Sequence, residues 1–199
     1  MKRLISVVGS ATASVPPDIA RTSCGVQVVG PNAQDVLRRS NEAMQAIIDA
    51  VVAAGVERTD LRTNGPRLHP TDNGYMGSND LSIVVRRLDS LGSVIDTMVA
   101  AGGPNVTMHG VDFAVSDPGR HLPTIRRAAM GAAHTIATEL AEAGGAGVGE
   151  VMKIDESSGY QAPVAVMAET RLTRTTPVEA GEQQLRIDVN VTYRLIDAD

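Results

Sequence analysis

Apolar residues recur along this chain in two rhythms. Three segments repeat them at helical spacing. The first, about Asn32 to Ala54, puts Val36, Leu37, Met44, Ile47, Ile48, Val51 and Val52 on one stripe. Asn32 is placed to cap it, with Asp35 in the first turn. The second, about Asp89 to Ala101, groups Leu91, Val94, Ile95, Met98 and Val99. The third, about Pro123 to Ala143, aligns Ile125, Ala129, Ala132, Ile136 and Leu140, and its small residues allow a close approach to a neighbour. Each helix runs into glycine: "AAG" at 53–55, "AAGG" at 100–103, "EAGG" at 142–145. Gly55, Gly102 and Gly144 are therefore expected at positive φ, where glycine caps the last carbonyls.

Elsewhere the rhythm has a period of two, the mark of a half-buried strand. Leu185, Ile187, Val189, Val191, Tyr193 and Leu195 alternate with polar residues. "DLSIVVRR" sets Leu81, Ile83 and Val85 on one face, and "NVTMHGVDFAV" does the same with Val111, Phe113 and Val115. "GEVMKID", after the third helix, is a shorter candidate. Residues 3–14 and 19–29 also read as strands, separated by "VPPD". Proline offers no N–H to a ladder, so Pro16 and Pro17 predict the bend of an early hairpin or a kink on an exposed edge. On the second arm Ala20, Thr22, Cys24, Val26 and Val28 share a face. Residues 157–184 lack period and form a long excursion.

These elements predict a single α+β domain over residues 1–199: a mixed, largely antiparallel β-sheet with three helices packed on one side. Composition narrows the function. With 2% aromatic residues and no Trp, the core rests on aliphatic side chains, and base-stacking platforms are scarce. A net charge of −5 also argues against a nucleic-acid partner. No stretch approaches a membrane span. The start, "MKRLISVVGS", has too short an apolar run for a secretory signal. A cytoplasmic protein is expected as the chain stands, or a periplasmic or secreted one if a leader has been removed.

Candidate chemistry is sparse. His69, His109, His121 and His134 have no ligand-spaced partners, so no metal site is expected. His69 reads as a loop residue, and His134 as facing away from its helix's apolar stripe. Cys24, the only cysteine, falls with the apolar set and reads as a small buried hydrophobe rather than a redox sensor. No G-x-S-x-G elbow occurs, since "GSNDL" lacks the second glycine. The glycine pairs follow helices, whereas a phosphate cradle precedes one. Asp155, Glu156 and the Arg126–Arg127 pair read as solvated faces. No catalytic residue, cofactor or metal is predicted.

The stretch "ISVVGSATASVPPDIARTSCGVQ" resembles the opening of the SIMPL domain family, with its small residues, "PD-A" and alternating strand. "GVERTDLRT" at 55–63, "LGSVIDTMVAAG" at 91–102, "GVDFAVSD" at 110–117 and "VNVTYRL" at 189–195 match in order, and "PVEAGE" resembles the turn before the family's last strand. Only Tyr75 keeps the aromatic character that the family shows after its 55–63 motif. The resemblance implies kinship with bacterial periplasmic proteins of oxidative-stress defence, a member that assembles into a channel-like ring, and a eukaryotic signalling adaptor. It implies no catalytic residues.

The expectation is a non-enzymatic, self-assembling protein tied to stress protection, a closed homo-oligomer of more than two subunits. The apolar "YQAPVAVMA" at 160–168 supplies the assembly contacts, Val164, Val166 and Met167, because soluble monomers seldom expose such a run. The alternative is a small-ligand or protein-binding module without large assembly.

Overall fold

A computed structural model describes residues 3–157 and 180–197. Packing divides them into two compact units, one from 3–16, 117–157 and 182–197, the other from 17–116 and 180–181. The chain leaves the first unit between Pro16 and Pro17 and returns after Ser116.

The first unit contains strands β1 (Leu4–Val15), β7 (Ala146–Ser157) and β8 (Gln183–Asp197), with helix α3 (Leu122–Ala143). Its sheet has the order β1-β8-β7, all antiparallel. β1 and β8 pair without a break from Leu4 opposite Arg194 to Val15 opposite Gln183. The odd-numbered face is apolar and buried: Val7 and Val15 of β1, then Leu185, Ile187, Val189, Val191 and Tyr193 of β8. Against it α3 lays Ile125, Ala129, Ala133, Ala137 and Ala141. The spacing of four lets the helix come very close. A Cβ added at Gly9 would lie 2.5 Å from the backbone N of Ala133. Only glycine fits under the helix there. The expected stripe through Ala132, Ile136 and Leu140 is thus displaced; Ile136 is 37% and Leu140 55% exposed. The alanines take the sheet side because bulkier residues would lift the helix off Gly9.

The second unit contains β2 (Ile19–Gly30), α1 (Ala33–Ala53), β3 (Leu61–Thr63), β4 (Arg67–Thr71), β5 (Gly74–Val85), α2 (Leu91–Gly102) and β6 (Val106–Ala114). Its sheet runs β3-β5-β2-β6, with β4 also paired to β5, again antiparallel throughout. Ala20, Cys24, Val26 and Val28 of β2 join Leu81, Ile83 and Val85 of β5 in a core closed by α1 (Val36, Met44, Ile47, Val51) and α2 (Leu91, Val94, Ile95, Met98). The Asn32 side chain accepts from the N–H groups of Gln34 and Asp35, at 2.9 and 3.0 Å, which caps α1.

The α+β class stands, and three α-helices lie where the helical period put them. The strands form two sheets, α1 and α2 packing on one and α3 on the other. The two prolines do not turn a hairpin: β1 pairs with β8, and β2 with β5 and β6. Neither proline can donate to a ladder, so the arms on either side find separate partners. Gly55 has φ 95°, as expected, but the other two positive-φ caps sit one residue later, at Gly103 (57°) and Gly145 (68°). Gly102 still belongs to α2, and Gly144 is the C-cap of α3 with φ −90°. His69 lies on β4 opposite Met76 rather than in a loop.

Candidate functional site

The expected assembly contacts Val164, Val166 and Met167 lie outside the described residues. The strand that precedes them is described. β7 spans twelve residues, longer than its sequence pattern suggested, and among the described residues forms one edge of its sheet. Val151 lies opposite Tyr193 and Ile154 opposite Val191. Val151, Met152 and Ile154 are nonetheless 45, 39 and 53% exposed. At the end of this strand Glu156 receives two hydrogen bonds from Arg126 of α3, at 2.7 and 2.9 Å, and the guanidinium holds its carboxyl below the usual range. Lys153 pairs with Asp155. Of the residues read as solvated faces, Arg126 and Glu156 thus tie the strand to its helix.

The second unit carries a cavity of about 520 Å³. Alternation dictates its lining. The even residues of β2 enter the core, so Arg21, Ser23 and Gly25 lie on the sheet's other face. Register then places Ser23 opposite Ser82, and Arg21 opposite both Val84 of β5 and Asp112 of β6. β3 adds Arg62, also opposite Ser82. On the far side β6 bulges between the partners of Thr22 and Cys24, with Gly110 at φ 99°. The Thr22 hydroxyl donates to the Gly110 carbonyl at 2.7 Å and holds the bulge. Val84 shares the face of Arg21 and adds apolar surface, whereas Leu61, Ile83 and Val111 border the cavity with their side chains turned to the core.

Charges around the cavity are partly matched. Arg86 grips Asp60 with two bonds of 2.7 Å. His109 Nε2 and Arg67 lie 3.7 and 3.4 Å from the Asp80 carboxylate. A side chain on Gly25 would meet both Asp80 and His109, at 2.8 and 3.1 Å, so glycine makes room for that pair. Arg21 and Arg62 have no ion-pair partner among the described residues.

The remaining sequence candidates are dispersed. Cys24 is wholly buried, and burial, aided by Asp80, pushes its thiol up to about 11. His121 accepts from Arg120 beside the start of α3. His134 meets Tyr193 edge-on at 5.9 Å. Among the described residues no three His, Cys, Asp or Glu side chains converge as metal ligands. No helix among them is long and apolar enough to cross a membrane. The cavity escapes motif reading because its lining comes from four strands, with no local signature.

The small-residue β1, the Pro–Pro junction and the closing β8 follow the SIMPL pattern, and the family model, described as a protein of unknown function (DUF541), matches residues 5–193. The chain belongs to the SIMPL family. Among relatives of this SIMPL chain, the 26 kDa periplasmic immunogenic protein of Brucella melitensis is 29% identical over 213 residues, covering 96% of this chain and 84% of the relative. The protein YggE of Escherichia coli K12 is 26% identical over 209 residues, covering 97% and 84%. A solved structure of an unknown protein from Galdieria sulphuraria aligns over 94% of this chain and 84% of its own, at 10% identity and a TM-score of 0.23.

Proposed function

We propose that this SIMPL-family chain is a non-enzymatic, self-assembling protein that closes into a homo-oligomer of more than two subunits. One observation carries the reading: the three-stranded sheet ends in β7, a twelve-residue edge strand with Val151, Met152 and Ile154 exposed. A long edge strand is a template for another chain, and β7 keeps three apolar side chains exposed between its charged Glu150, Lys153, Asp155 and Glu156. The opposite edge of the same sheet is β1, also twelve residues long. Joining β7 of one copy to β1 of the next is a head-to-tail contact, and such contacts make rings when the rotation closes. Val164, Val166 and Met167, following β7 in the sequence, add apolar contact to that junction.

The stress-protective role comes from the family resemblance, and a periplasmic setting is supported by the name of the Brucella relative. Light scattering of native protein at micromolar concentration tests the assembly. A discrete species of several chain masses is expected. Val164→Asp with Val166→Asp, and separately Ile154→Lys, should yield smaller species with unchanged helical circular dichroism. A native monomer, or variants that assemble as before, overturns the reading and favours a binding module without large assembly.

A further inference from the structure

We propose that the cavity on the open face of the second unit's sheet binds a small organic monoanion, a carboxylate with an apolar body, with Arg21 and Arg62 meeting its head group. The size fits. A volume of about 520 Å³ lies within the range of small-molecule sites. The lining has the mixed character such sites show: apolar surface that includes Val84, and a few polar groups set by the backbone register.

Charge selects the ligand class. Arginine is a planar fork suited to carboxylates, and most of the described arginines already hold an acidic partner. Arg21 and Arg62 do not, although both line one cavity. Arg21 even lies directly opposite Asp112, yet the two form no ion pair within 4.0 Å. Asp60 is taken up by Arg86, and Asp80 by Arg67 and His109. Among the described residues that leaves two unpaired guanidiniums against the single carboxylate of Asp112, a surplus of one positive charge. A monoanion balances it, whereas a phosphate dianion would face Asp112 with a negative charge unmatched.

Geometry permits a shared head group. Arg21 is on β2 and Arg62 on β3, with β5 between them. Their backbones stand two strand spacings apart, roughly 10 Å, so both side chains can reach over β5 from opposite sides. Ser23 and Ser82, opposite each other between the arginines, offer hydroxyl donors at the floor. The β6 bulge at Gly110 locally bends that strand beside the cavity. The lining residues of the site all lie within residues 17–116.

Calorimetric titration of the full chain with octanoate, octanol and inorganic phosphate, at low ionic strength, tests the proposal. Octanoate should bind saturably, one per chain, with octanol and phosphate each at least tenfold weaker. Arg21→Ala and Arg62→Ala should each weaken octanoate at least tenfold. Arg127→Ala, on an exposed arginine of α3, should leave it unchanged. Both cavity arginines are exposed, so folding, followed by circular dichroism, should be unaffected. No saturable octanoate binding, or octanoate affinity unaltered in the double variant, overturns the proposal. Equal binding of octanol would remove the role of charge, and tighter binding of phosphate would remove the ligand class.

Discussion

Cys24 has no exposed surface on the core face of β2, and its proton is held there by burial. A thiolate would be an unsolvated charge near Asp80, so the thiol's pKa rises from 9.0 to about 11. Native protein should therefore resist an aromatic disulfide reagent until it is unfolded in urea; rapid stoichiometric labelling would contradict this. The pH dependence has a definite sign. The raised pKa contributes full stability below about pH 9, where both states keep the proton. Between about pH 9 and 11 the unfolded chain loses it while the folded chain does not, and the contribution is lost as pH rises through the folded value. Relative to Cys24→Ala, the unfolding free energy should fall across that window by up to about 2–3 kcal/mol, measured by urea denaturation. The cysteine's place was legible because a period of two assigns a face outright. The glycine caps were legible only to within a residue. In a Gly–Gly pair both members tolerate positive φ, and the packing of Gly102 near Ile47 and Val106 leaves the left-handed turn to Gly103.

At the scale of elements, what decides α3 is how close it lies to β1. Every fourth residue from Ala129 to Ala141 is an alanine facing the sheet, and Gly9 lies beneath the turn at Ala133. Gly9→Val should force helix and strand apart, at a cost of about 1–3 kcal/mol by overpacking, read as a lower urea midpoint. Gly131→Ala, on the same helix with open space around it, should cost nothing measurable. An unchanged midpoint for Gly9→Val would mean that the helix does not rest on this strand. The helix itself was legible in sequence; its buried face was not. Counting large apolar residues favours Ile136 and Leu140, but a crowded site selects small residues, and hydrophobicity alone does not register that. The β4–β5 hairpin escaped reading for a different reason. Every residue of β4 is exposed, so it has no alternation to detect.

At the scale of the molecule, sequence separation explains what could and could not be read. Helix boundaries depend on neighbours and came out nearly right, whereas strand partners are chosen across the whole chain. β1 and β2 follow one another yet join different sheets, a choice that nothing within residues 4–30 encodes beyond the two prolines. The cavity is similarly illegible, since Arg21 and Asp112 meet only through the β2–β6 register. That register is also complete within one continuous stretch, and here synthesis enters. A ribosome finishes 17–116 long before it makes β8, so this unit holds all its described strands and helices while the chain is still growing. β1 is made first and completes its pairing last, because Leu4 must wait for Arg194, 190 residues later (194 − 4). At cellular elongation rates that delay is roughly 10–40 s. A chain stopped after residue 157 should accordingly protect the amides of β2 and β5 from hydrogen exchange and leave those of β1 open; protection of β1 in that fragment would show that it has another partner. During those seconds an unpaired strand of alternating small and apolar residues is the most vulnerable part of the nascent protein, and its first claim on a chaperone.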